Sequence, residues 1–171
     1  MSRTLLIVSI LLALFLACDE EPTRSFIPDY DENLIGISQG LYGTILFWEG
    51  DFMPTYPEYP PGGYIYPVVR DVCIFDRVLY DDVEWSYVEI EPGIYAYLAV
   101  DVPASLIEVV KSDDNGHFEA ELAPGMYSVF VREHGYYYAN LVDNGGYVFP
   151  ATVREGGTTE IEFDITYMAT F

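Results

Sequence analysis

Apolar residues recur at every second position through much of the chain, which is the period of a strand with one buried face. Phe118, Ala120 and Leu122 alternate with Glu119 and Glu121, and Tyr127, Val129 and Val131 alternate with Ser128 and Arg132. Further apolar stretches at 41–48, 68–80, 88–102, 106–111, 136–142, 147–154 and 159–167 read as strands, the third broken at Pro92-Gly93 and resuming over 94–100. In the second of these, alternation predicts Val72, Ile74, Val78 and Tyr80 on one face, with Asp71, Cys73 and Phe75 on the other. Turn chemistry separates them. Asn115-Gly116 predicts a tight hairpin, because that pair supplies the positive φ angles such a turn requires. Ala123-Pro124-Gly125, Asp143-Asn144-Gly145-Gly146 and Glu155-Gly156-Gly157 turn the chain again. Residues 53–67, rich in Pro, Tyr and Gly, are expected to form an irregular loop. Nothing shows helical period, so the pattern predicts an all-β fold, an antiparallel β-sandwich.

The N-terminus follows a different logic. Residues 1–17 have a positive start at Arg3, an apolar run from Leu5 to Leu16 broken only by Ser9, and a small residue, Ala17, before Cys18. This is the layout of a secretory signal, and the run is shorter than the about 20 residues a membrane-spanning helix needs. Phe15-Leu16-Ala17-Cys18 resembles the lipobox of bacterial lipoproteins, with Phe15 where Leu is usual and Leu16 where a smaller residue is preferred. The resemblance implies removal of residues 1–17 and a diacylglycerol on Cys18, whose several acyl chains would anchor the protein stably. Residues 18–36, with Pro22, Pro28 and many acids, read as a tether. Cys18 followed by Asp19-Glu20-Glu21 resembles a surface-export signal of some Gram-negative bacteria, and Asp19 alone resembles an inner-membrane retention signal of enteric bacteria. The first implies a lipid-anchored outer-membrane protein.

Charge narrows the partners. The chain has 28 acidic residues against seven basic ones, a net charge of −21, and Lys111 is its only lysine. Nucleic-acid binding is disfavoured, since phosphates demand a Lys/Arg surface. Adhesion to an anionic bilayer through charge is disfavoured on the same ground. Only two cysteines occur. With Cys18 given to lipid, Cys73 is left unpaired, no disulfide framework is expected, and Cys73 reads as a structural residue. Roughly 150 residues then remain, enough for one domain with its own core.

Three segments carry a family resemblance. Gly40-Leu41-Tyr42-Gly43-Thr44-Ile45, Ser112-Asp113-Asp114-Asn115-Gly116-His117-Phe118 and Leu122-Ala123-Pro124-Gly125-Met126-Tyr127-Ser128-Val129 resemble the carboxypeptidase regulatory-like domain. The resemblance covers most of 37–167 and implies a transthyretin-like, immunoglobulin-like sandwich of about seven strands over residues 37–171. It implies no chemistry, because in carboxypeptidases the catalytic zinc sits in a separate domain. Tyr127, just after Pro124-Gly125, resembles the tyrosine corner of other sandwiches, whose hydroxyl bonds back to the loop backbone.

Candidate sites are few. His117 and His134 both read as solvent-facing turn residues, and neither lies in a nucleophile motif. No catalytic residues and no cofactor are expected. Asp113, Asp114 and Asn115 could offer oxygens to Ca²⁺, which wants six to eight of them, but turn formation alone accounts for these residues. Trp48, Phe52, Tyr56, Tyr59, Tyr64 and Tyr66 form a candidate binding face, because aromatic rings among prolines can stack on sugars or grip a peptide. The alternative is a loop folded back to cover a sheet edge. The reading is therefore a non-catalytic, lipid-anchored module of the envelope with a structural or protein-interaction role, or alternatively a carbohydrate-binding accessory module.

Overall fold

The computed structural model describes residues 35–53 and 62–171. The signal, Cys18, most of the tether, Tyr56 and Tyr59 lie outside the described residues. Eleven strands are described: β1 (Gly40–Asp51), β2 (Tyr64–Pro67), β3 (Asp71–Asp76), β4 (Glu84–Glu91), β5 (Ile94–Asp101), β6 (Leu106–Lys111), β7 (His117–Glu121), β8 (Gly125–Glu133), β9 (Tyr136–Tyr138), β10 (Pro150–Val153) and β11 (Thr158–Thr170). They form two sheets, one ordered β11-β1-β2 with β7 also on β1, the other ordered β4-β5-β9-β8-β3-β6 with β10 also on β8. The strand count exceeds the expected seven in part because β7 and β2 share one side of β1 end to end. β9 and β10 likewise pair with opposite ends of β8.

The larger sheet is antiparallel throughout. In the smaller one, β1 and β11 run parallel along almost their whole length. A strand buried on both faces reads as continuous apolar sequence rather than alternation, and Leu41, Tyr42, Ile45, Leu46 and Phe47 are all buried. Leu41, Ile45 and Phe47 join Phe163 and Ile165 of β11 in the core between the sheets. Phe163 stacks on Phe149, ring centroids 4.3 Å apart. Each such ring, fully removed from water, contributes about 2–3 kcal/mol.

Three sequence expectations change. The 53–67 stretch is not wholly irregular: Tyr64–Pro67 forms β2, paired with Leu46–Glu49. The strand predicted over 68–80 covers only Asp71–Asp76. Beyond it Val78 donates its N–H to Ser128 Oγ (3.1 Å) and Tyr80 stacks on Trp85. Ser128 and Trp85 share the outer side of the larger sheet with Cys73 and Phe75, so Tyr80 does not continue the Val72 and Ile74 face, and Val78 lies beyond the strand. Finally, the Asn115-Gly116 turn is not a hairpin within one sheet. β6 pairs with β3 while β7 pairs with β1, so the turn carries the chain between sheets. Only Gly116 of the pair has positive φ, at 76°.

Tyr127 does form the expected corner: its hydroxyl donates to the Ala123 carbonyl at 2.8 Å. Gln39 ties the entry of β1 to two loops, donating to the Leu122 carbonyl and accepting from Gly156 N–H, both at 2.8 Å.

Candidate binding face

The aromatic residues singled out around 48–66 do not form one face. Cross-strand pairs place Phe47 opposite Tyr66, Trp48 opposite Ile65 and Glu49 opposite Tyr64. Directly paired residues share a face and neighbours in a strand alternate, so Tyr64 and Tyr66 lie on one side of the sheet and Trp48 on the other. Tyr66 packs on Phe47 and donates its hydroxyl to Glu49 Oε2 (3.0 Å). Burial and that bond push the Tyr66 phenol above its ordinary range. Trp48 instead donates to Asp164 Oδ1 (2.8 Å) and packs with Phe52 and Phe171. Tyr64 is half exposed.

The acidic turn also resolves into structure. Asp113 Oδ1 accepts the N–H groups of Asn115 (2.8 Å) and His117 (2.9 Å), while its carbonyl takes the N–H of Gly116. Asp143 repeats the pattern, with Oδ1 accepting from Gly145 and Tyr147 and the carbonyl from Gly146. The two turns are one device used twice, and the first carboxylate is spent on backbone in each. Among the described residues no three or more His, Cys, Asp or Glu side chains are grouped to hold a metal.

The histidines part ways. His117 is half-buried at the start of β7 rather than solvent-facing. His134 is exposed at the β8–β9 hairpin, where it and Gly135 have φ of 51° and 87°, the pair of positive angles a two-residue hairpin needs. Its Nε2 lies 3.3 Å from the Tyr167 hydroxyl. Tyr167 donates in turn to Glu133 Oε2 (2.6 Å), whose other oxygen binds Arg70 Nε. Glu133 is only 2% exposed. Burial, followed by the hydrogen bond and negative charge of Glu133, holds the Tyr167 phenol far above its usual range. That shift keeps the proton on, opposite to what an activated phenol needs. The knot ties β8, β11 and the entry of β3 together.

Cys73 is fully buried on the outer side of β3, opposite Phe130. Burial raises its pKa, and the Arg132 guanidinium, 4.0 Å from Sγ, opposes the shift. A thiol held protonated under cover is a packing residue.

What the sequence reading passed over is the outer face of the β4–β5 hairpin. Its register pairs Trp85 with Ala99, Tyr87 with Tyr97 and Glu89 with Tyr95, while the opposite side packs Ala96, Leu98, Val88 and Ile90 against the core. The outward rings form a ladder. Tyr80 stacks on Trp85 at 5.0 Å, Trp85 on Tyr97 at 5.6 Å, and Tyr87 leans on Tyr97 at 4.8 Å. Trp85 Nε1 donates to the Tyr80 carbonyl (3.1 Å), fixing the indole. A hydrogen bond with Tyr97, reinforced by burial, raises the Tyr80 phenol's pKa. The inner end of the ladder is rooted in Phe130, 6.4 Å from Trp85. The outer end is open: Tyr87 is 74% exposed, Tyr95 56% and Tyr97 38%. The alternation Trp85, Tyr87 then Tyr95, Tyr97 across Pro92-Gly93 was the available signal.

The fold and this face define a two-sheet β-sandwich with an exposed aromatic ladder on one hairpin. Compared with protein-family models, curated proteins and solved structures, the chain matches none.

Proposed function

We propose that the chain is a non-catalytic, lipid-anchored module of a Gram-negative cell envelope whose sandwich presents a surface to a protein partner. The observation that carries the interaction reading is the ladder ending in Tyr87, Tyr95 and Tyr97. Tyr87 and Tyr95, each more than half exposed on a regular strand, gain little for folding. Aromatic rings held rigidly at a surface lose little entropy on binding and are enriched at interface hot spots. The anchoring reading rests on the sequence of residues 1–21, with its apolar run, Phe15-Leu16-Ala17-Cys18 and the acids that follow. The reading of residues 37–171 as carboxypeptidase regulatory-like draws on the three sequence segments, and the Tyr127 corner is in keeping with it.

Expression of the full chain in a Gram-negative host with labelled palmitate tests the anchor. The proposal expects label in the protein and recovery in membranes, with both lost in Cys18→Ser. Unlabelled, freely soluble parent protein would refute it. The second reading, a glycan-binding accessory module, is favoured by the same ladder, since sugar rings also stack on aromatic faces. Stacking of this kind requires only an open ring face, which Tyr87 offers.

A further inference from the structure

The surroundings of the ladder narrow its ligand. From residue 78 to residue 110 the chain contains no Lys or Arg, and it carries Asp81, Asp82, Glu84, Glu89, Glu91 and Asp101 along the hairpin and its approaches. Glu89 stands directly opposite Tyr95, on the side that carries Tyr87 and Tyr97. Other aromatic faces of this protein have their own cations. Arg77 lies 3.9 Å over Tyr147, Arg132 4.9 Å over Tyr137, and Arg70 6.0 Å over Phe47. None of these arginines reaches Tyr87, Tyr95 or Tyr97.

Two forces act on a cation approaching this face, and they point the same way. The π-face of a tyrosine attracts a guanidinium or ammonium within about 6 Å. The Glu89 carboxylate beside the rings supplies the counter-charge, and although its Oε1 accepts the Gly93 N–H at 2.9 Å, Oε2 is an acceptor for a guanidinium N–H. An anionic ligand meets repulsion from Glu89 and from the net charge of the molecule. A neutral sugar would gain from the rings and nothing from the charge.

We infer that the outer face of the β4–β5 hairpin is a docking surface for an arginine- or lysine-bearing polypeptide segment of a partner protein, held by Tyr87, Tyr95 and Tyr97 and their flanking carboxylates. The inference deepens the interaction reading above and rests on it. Open rings and the Glu89 carboxylate, which has no ion-pair partner among the described residues, share one face and both find their complement in a cationic side chain. Steering by a net charge of −21 brings such a segment in rapidly at low salt.

The test is titration of the full chain with a fluorescent hexa-arginine peptide, followed by anisotropy at low and at physiological salt. A neutral glucose hexasaccharide serves as the comparison ligand. Tyr87→Ser with Tyr97→Ser leaves the charge unchanged and is expected to weaken peptide binding about tenfold. Tyr87→Ser alone, at a largely solvent-exposed position, guards against loss of fold and is expected to weaken it about threefold. Glu89→Gln is expected to weaken binding more than Asp114→Asn, which removes the same charge from a distant turn. Parent-like binding by the tyrosine variants, or an equal effect of Glu89→Gln and Asp114→Asn, would overturn the inference and leave bulk charge as the cause. Saturable binding of the neutral hexasaccharide, lost in Tyr87→Ser, with no such loss for the peptide, would overturn the ligand class while keeping the face as a binding surface. Binding of neither ligand would overturn the cationic specificity and leave the interaction reading to be judged in the envelope itself.

Discussion

Tyr167 illustrates how a single side chain can join two sheets. Its ring meets Phe47 edge-on at 5.4 Å and Tyr138 at 5.5 Å, while its hydroxyl caps the buried Glu133. Tyr167→Phe keeps the packing and removes one charge-assisted bond, so it is expected to cost about 1.5–3 kcal/mol in denaturant unfolding at neutral pH. A second signature appears in alkali. The folded-state pKa of Tyr167 is raised above the ordinary value of 10.0, so above about pH 10 the unfolded chain releases a proton that the native state retains. The contribution is complete below pH 10 and is lost as pH rises beyond it, by about 1.4 kcal/mol per unit. Tyr167→Phe should therefore flatten the fall of stability between roughly pH 10 and 12. An unchanged alkaline slope would show the hydroxyl to be idle. Nothing in the sequence announces this knot. Period two places Glu133 on the apolar face with Val129 and Val131, but its partners lie 63 and 34 positions away, where no local pattern points to them.

Among the elements, the two Asp-capped turns give a controlled comparison. Gly116 and Gly146 occupy the same place in the motif, with φ of 76° and 81°. An added Cβ at Gly116 would meet the Ile45 carbonyl oxygen at 2.5 Å, whereas at Gly146 it meets only Leu79 Cδ2 at 3.6 Å. Gly146→Ala is expected to cost the left-handed penalty alone, about 1–2 kcal/mol. Gly116→Ala should cost more by about 2 kcal/mol or above, since the backbone must shift as well. Equal midpoints in urea for the two variants would contradict this. The turn chemistry itself was legible from Asn-Gly and Gly-Gly. That the first turn switches sheets was not, because local sequence sets the turn while register is decided by which strand lies alongside. The same reason hid β2: its four residues form a strand only because β1 offers an edge. β1 and β11 were both legible as strands, yet alternation cannot say that they pair in parallel.

At the scale of the whole molecule, the sequence conveyed the class, two packed sheets with no α-helix among the described residues, because period-two patterning is repeated in nearly every segment. It grouped as one face residues that the register separates. A cluster of Tyr and Pro in one loop drew attention by composition, but its described members fall on opposite sides of a sheet. Trp85, Tyr87, Tyr95 and Tyr97 drew none, since aromatic residues in strands are ordinarily core and only the register shows that these face outward. The charge map adds direction, with a strongly acidic molecule whose open rings lie in a stretch of 33 residues without a single basic side chain. The central proposal, that this hairpin face is where the protein meets its partner, is tested most directly by photo-crosslinking in isolated envelopes. A photoreactive phenylalanine replaces Tyr87 in one version of the full chain and Asp114 in another. The account predicts a discrete protein adduct from position 87, suppressed by added hexa-arginine, and none from position 114. Adducts from position 114 alone, or adducts at position 87 indifferent to the peptide, would contradict it.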